Sequence, residues 1–451
     1  MNKLPNSSND NFDFSKPEID HIILDNKINL YQVKKPNSEL LTLVFVLPIA
    51  NETIQSIPSG SVNLSLKLFF EQNIYKSNTS LQHQLENSGA DPIYSSDTEK
   101  IIIGFQASFN NWEKSLDILL SALESININS QEFNRIKKLR IGEIIQNQGN
   151  PMFLARSGLL KNLYKHTSTK SYPSIGKLSD INEINQSTII NITTRLLRIT
   201  EQAKITLICK NQNRKLIHKL SNIKIESNSK ALIIKNDKQN SKNLLISTNI
   251  QSPQSVILFG KRLTIPNMKE RVSLEIFNEI FGGSFMSRLN VNLREKNGYS
   301  YGFGSSLSWS NNKEPTIIAG GSVNSKKTSD SIEEINHEID SLFNNNELST
   351  EELQNAIFSI KLGYLKNFET HMSSISLINK IIFENLNLNY HDLFFELISN
   401  ITKDEIYSYI HKNFSNLNDF STIVVGDEKY LSKLIADKLI SAKLIGSENI
   451  I

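Results

Sequence analysis

Two stretches of this chain, 219 residues apart, read as copies of one plan. Ser130-Gln-Glu-Phe-Asn-Arg-Ile opens a helical pattern much as Ser349-Thr-Glu-Glu-Leu-Gln-Asn does, and Ser349 with Glu352 has the spacing of a capping box. Upstream of each lies a β-rich run, Ile101-Ile-Ile-Gly-Phe-Gln-Ala-Ser-Phe and Thr316-Ile-Ile-Ala-Gly-Gly-Ser-Val. Each run leads into amphipathic helical spacing, over 112–123 and 331–343. Downstream, helical patterns over 189–197 and 406–414 give way to Ile205-Thr-Leu-Ile-Cys and Ser421-Thr-Ile-Val-Val-Gly-Asp, again offset by close to 216 residues. A repeat of this length fixes the architecture before any single element is assigned.

The elements do not alternate strictly, and no Gly-x-Gly-x-x-Gly follows a strand, which disfavours a parallel dinucleotide-binding sheet. The expected fold is α+β, with two homologous domains, each a mainly antiparallel sheet flanked by helices. They span 15–220 and 243–441. A polar segment, 1–14, precedes them, a Ser/Asn/Lys-rich linker at 221–242 joins them around a short apolar run at Ala231-Leu-Ile-Ile, and 442–451 reads as a tail. A chain of 451 residues can bury a core in each half.

Composition removes several classes of function. With 49 basic and 46 acidic side chains the formal charge is +3, which argues against binding nucleic acid or a membrane surface by bulk charge. The longest apolar stretch, Leu40 to Ala50, is interrupted by Thr42 and Pro48 and is too short to span a bilayer, so it reads as a core strand. A single cysteine, Cys209, excludes an intrachain disulfide and reads as a buried small hydrophobe. The polar N-terminus lacks the apolar region of a secretory signal, and the expected location is cytoplasmic.

Metal chemistry finds no support in residue spacing. The eight histidines (His21, His83, His166, His218, His337, His371, His391, His411) include no i, i+4 pair, and no thiol partners one. His83-Gln-Leu-Glu86 lacks a second histidine at Asn87 and reads as a surface helix face. No Gly-x-Ser-x-Gly elbow occurs.

One run carries a specific resemblance: Ile280-Phe-Gly-Gly, followed by Ser287-Arg-Leu-Asn-Val-Asn-Leu-Arg-Glu-Lys-Asn-Gly-Tyr-Ser-Tyr-Gly-Phe. It resembles the C-terminal half of the pitrilysin/insulinase family, which includes mitochondrial processing peptidase, and the duplicated plan agrees with that family's paired α+β domains. The resemblance implies a processing peptidase-like metallohydrolase fold. In the first half, Gly60 and Gly89-Ala90 stand 29 residues apart, as the family pattern requires.

Active members carry His-x-x-Glu-His on the helix after that first glycine, two imidazoles that grip zinc and a glutamate that acts as general base. Here those places hold Asn63, Leu66 and Lys67. An amide, an alkyl chain and an ammonium cannot replace them, so no metal is expected in this chain. The slipped register Leu68-Phe-Phe-Glu71-Gln72 also lacks both histidines. Glu143 lies about where the family's third ligand falls; taken alone it reads as a solvated or ion-paired glutamate.

Arg294 and Tyr301 match the arginine and tyrosine that active members bring from their C-terminal half to a distant metal site. A guanidinium and a phenol are fixed donors for a peptide carbonyl and its developing oxyanion. Outside the motif, Tyr299, Tyr301 and Phe303 would read as a packed strand and Arg294 as a solvated helix end. Gly298 is placed to turn the chain from helix to strand, and Gly282 and Gly283 read as close packing or a turn. The resemblance therefore implies a non-catalytic subunit that binds peptide beside a homologous, zinc-bearing partner. A scaffold of the same fold with no hydrolysis anywhere, as in the core subunits of respiratory complexes, is the second reading.

Overall fold

The computed structural model describes residues 18–49, 54–71, 79–164, 169–226, 243–248, 252–265, 267–310, 314–344, 347–414 and 417–447. The expected N-terminal segment 1–14 and the linker run at Ala231 lie outside these. The chain divides into two units, Glu18–Gln239 and Asn240–Ser447, apart from its termini.

The first unit holds a six-stranded sheet in the order β1-β2-β6-β3-β5-β4. The strands are β1 (Ile19–Ile23), β2 (Asn29–Lys34), β3 (Leu40–Pro48), β4 (Ala90–Ser96), β5 (Lys100–Ser108) and β6 (Lys204–Cys209). Only β2 and β6 pair in parallel. The apolar stretch from Leu40 is the central strand β3, hydrogen-bonded on both sides and buried from Leu41 to Leu47. Cys209 ends β6 fully buried; its thiol donates to the Asn211 carbonyl (3.0 Å), and burial pushes its pKa up to about 11. It is a core residue, as its apolar setting indicates.

The second unit repeats the plan in the order β12-β7-β11-β8-β10-β9. Its strands are β7 (Asn243–Thr248), β8 (Gln254–Arg262), β9 (Ser300–Ser308), β10 (Thr316–Asn324), β11 (Ser421–Asp427) and β12 (Ala442–Gly446). β7 pairs in parallel with β11, as β2 does with β6, and β8 is central as β3 is. The outermost strands differ. β1 precedes β2 and runs antiparallel to it, whereas β12 arrives from the far end of the chain and runs parallel to β7. The stretch from Ala442, read from sequence as part of a tail, is thus a sheet strand through Gly446; five residues with two large apolar side chains gave too short a pattern to read.

The paired helices also correspond. Ser130–Gln148 starts from Asn129, whose side chain accepts from the Glu132 N–H (2.8 Å), so the cap lies one residue before the expected Ser130. Thr350–Lys366 starts from the full capping box of Ser349 and Glu352. Only in the second does the glutamate at the third position reach back to the cap; the Glu132 carboxylate accepts from Arg135 instead. No helix among the described residues is long and apolar enough to cross a membrane.

Candidate functional site

In the first unit, helix Ser61–Glu71 begins directly after Gly60 and β4 directly after Gly89. Leu66 is buried among the core side chains beneath the sheet, with Phe69 and Phe70, and Lys67 is half-buried. Asn63 faces helix Ser130–Gln148, and its Oδ1 accepts from Nη2 of Arg140 at 2.5 Å. Arg140 is only 4% exposed, and its Nε lies 3.3 Å from Oε2 of the half-exposed Glu143. Burial lowers the Arg140 pKa and Glu143 opposes that shift.

A guanidinium therefore occupies the ground beside residue 63. The three positions together offer no imidazole and no carboxylate, the one nearby glutamate is engaged by Arg140, and the residues do not fit zinc. Among the described residues no group of three or more His, Cys, Asp or Glu could hold a metal. His83 is on an exposed helix face, 3.4 Å from Glu86. Sequence reading missed Arg140, because the contact joins residues 77 apart on two helices.

In the second unit the motif wraps the start of β9. Helix Met268–Asn278 runs into a π-helical turn, Glu279–Gly283, and Arg288–Asn290 runs into a second, Val291–Lys296. Gly282 lies against β9 so closely that a Cβ there would be 2.6 Å from the Ser305 nitrogen, which is why a side chain is missing at that point. The edge strand is covered there, and the Phe303 N–H donates to Asn290 Oδ1 (3.1 Å) instead of to a further strand. At the other end Gly298 takes φ +65°, which lets Tyr299 N–H reach the Leu293 carbonyl (2.8 Å) as the chain turns into β9.

The two arginines of the motif are used differently. Arg288 is pinned: Nε and Nη2 donate to the two carboxylate oxygens of Glu352 (2.7 and 2.9 Å), Nη1 donates to Ser341 Oγ (2.8 Å), and Nη2 also reaches the Glu347 carbonyl. Arg294, half-buried on the second π-helical turn, stacks over the Phe285 ring at 4.4 Å. Its N–H groups have no hydrogen-bond or ion-pair partner among the described residues. Tyr301, at the start of β9, is 91% exposed and its hydroxyl is equally unpartnered there.

Phe285 and Met286 extend this surface. They are 59% and 68% exposed in the turn Ser284–Ser287, which Asn290 Nδ2 braces by donating to the Phe285 carbonyl (2.8 Å). Sequence reading passed over both, although two large apolar residues between Gly-Gly-Ser and Ser-Arg are an available signal.

Residues 210–360 match the family model described as Peptidase M16 inactive domain. No curated protein matches the chain. Among solved structures, a peptidase M16 inactive domain from Pseudomonas fluorescens superposes with a TM-score of 0.79 at 15% identity, covering 95% of this chain and all of that one. A protease from Helicobacter pylori gives 0.78 at 14% identity, over 91% of this chain and 99% of that one. A chain of Complex III2 from Candida albicans gives 0.71 at 12% identity, over 90% and 95%. At these identities the likeness establishes the fold.

Proposed function

We propose that this chain, whose residues 210–360 match a Peptidase M16 inactive domain and whose paired fold resembles that of the pitrilysin/insulinase family, is the peptide-binding, non-catalytic subunit of a heterodimeric zinc peptidase. The observation that carries this reading is the contrast between its two halves. The motif positions of the first half hold Asn63, Leu66 and Lys67, with Arg140 against Asn63, while in the second half Arg294, stacked on exposed Phe285, and exposed Tyr301 keep unpartnered donors.

Donors left free, one on a π-helical turn and one at the start of β9, suit a peptide carbonyl brought to them and the oxyanion that forms when water attacks it. The exposed ring and thioether supply apolar contact for a neighbouring side chain. The zinc and its general base would come from the partner, a homologous subunit with intact His-x-x-Glu-His, and the proposed setting is the cytoplasm.

Reconstitution tests this. The purified chain should be inert and free of zinc, and mixing it with such a homologue should produce peptide cleavage that neither has alone. Cleavage by the chain alone would refute the reading. Arg294→Ala or Tyr301→Phe should lower turnover of the pair by roughly 10²-fold, the scale of losing one oxyanion donor.

A second reading, a scaffold without hydrolysis, is favoured by the likeness to a chain of Complex III2. It expects that the chain assembles with a homologue without producing peptide cleavage, whichever residues stand at 294 and 301.

A further inference from the structure

At the amino ends of β7 and β11, parallel neighbours in the second sheet, lies a cavity of about 210 Å³. Its polar wall is built from Asn243, Asn336, Asp340, Asn418 and Thr422, and its apolar side includes Leu439 and Ile440. Thr422 is 2% exposed, and its hydroxyl has no hydrogen-bond partner among the described residues. A buried hydroxyl without a partner is destabilising, so one in the wall of a polar cavity points to something that the cavity holds.

The other groups define what that is. Asp340, on helix Thr328–Phe343, accepts from Asn344 Nδ2 (2.9 Å) and has no ion-pair partner among the described residues. Asn336 stands one helical turn before it, with no side-chain hydrogen bond among those residues. Asn243 Oδ1 accepts from the Thr422 N–H (3.1 Å). No Lys, Arg or His among the described residues lines the cavity. Hard oxygen donors with one formal negative charge and no internal cation match a singly charged guest, since divalent ions are ordinarily held by more carboxylates.

We infer that this cavity binds a small monovalent cation between the Asp340 carboxylate, the Asn336 amide oxygen and the Thr422 hydroxyl, tying helix Thr328–Phe343 to the starts of β7 and β11. Potassium and a primary ammonium share this charge and size. The inference is independent of the peptidase reading and needs only this chain.

The test is thermal melting of the full chain at equal ionic strength in potassium chloride, methylammonium chloride and choline chloride. Potassium, methylammonium or both should raise the midpoint above that in choline, saturably and by about 2–4 °C. Potassium alone identifies an inorganic ion, and methylammonium alone an amine head. The increment should vanish in Thr422→Val and in Asp340→Asn, while Thr422→Val in choline melts no lower than the parent. Equal midpoints in all three salts, as for a cavity holding only water, or an increment that survives in either variant, would overturn the inference.

Discussion

Arg288 and Arg294 stand six residues apart in one run and have opposite roles. Arg288 has its donors matched to Glu352, Ser341 and the Glu347 carbonyl, so it holds the turn to the helices beyond it. Arg294 rests on the face of Phe285, a contact worth about 0.5–1 kcal/mol at an exposed site that leaves the in-plane N–H groups free. Lysine keeps the charge but neither stacks nor forks. Arg294→Lys should therefore cost the reconstituted pair nearly as much turnover as Arg294→Ala while leaving the melting temperature alone; Arg288→Lys should lower the melting temperature. A rate for Arg294→Lys close to the parent would remove the donor role. The arginine beside Asn63 permits a sharper test. A zinc ion bound at residue 63 would lie roughly 5 Å from that guanidinium, a repulsion of about 6–7 kcal/mol at an effective dielectric near 20. Asn63→His with Lys67→His should accordingly acquire no zinc by metal analysis, and adding Arg140→Gln should admit it; zinc in the double variant would show that Arg140 does not bar the ion. The motif residues were legible because their chemistry is written in one run. Arg140 was not, because tertiary packing alone brings it to Asn63.

Strands of the repeat were legible where they are unbroken apolar runs, as in β3, β6 and β11, which are buried almost throughout. The two π-helical turns were not, since an inserted residue leaves the apolar spacing nearly intact while rotating the rest of the helix. They nonetheless flank the motif, and Gly282 is where the first of them meets β9. Gly282→Ala places a methyl 2.6 Å from the Ser305 nitrogen and hydroxyl. The expected cost is about 1–3 kcal/mol in denaturant unfolding, with lower activity of the pair, because the turn carrying Phe285 must move; an unchanged unfolding midpoint would show that the contact relaxes freely. The cap at Ser349 gives a pH signature. Burial alone would raise the Glu352 carboxyl, yet Arg288 and the Ser349 backbone outweigh it and hold the group below its usual range. A carboxyl depressed by folding adds stability above its unfolded value, ~4.3, and loses it as pH falls through the lower folded one. Glu352→Gln should thus flatten the acid limb of melting temperature against pH, and an unaltered limb would detach Glu352 from acid stability.

Each unit carries a complete six-stranded sheet drawn from its own segment of chain, and the copies have diverged in what they do with charge. The first copy closes its polar position internally, with Arg140 against Asn63 and Glu143. The second leaves a guanidinium and a phenol open, while its buried Arg271, stacked on Trp309 at 3.6 Å, donates to Glu384 at 2.6 Å. That the first copy lacks histidines at its motif while the second keeps an arginine and a tyrosine was legible in the sequence; the part of Arg140 was not, and neither was the strand at Ala442, whose five residues are too short a pattern to read. A core confined to one segment also has a consequence for folding. The buried cluster beneath the first sheet runs from Leu24 to Leu220, and the smaller one under its helices from Leu64 to Ile189. Among the described residues no strand of either sheet comes from the other segment, so residues 18–226 and 243–447 each hold what a domain needs to bury its own apolar face. Expressed separately, both fragments should unfold in a single cooperative transition by circular dichroism, with dispersed amide resonances. A fragment that stays collapsed, binds a hydrophobic dye and melts without a transition would mean that the copies, though complete as sheets, depend on one another to fold.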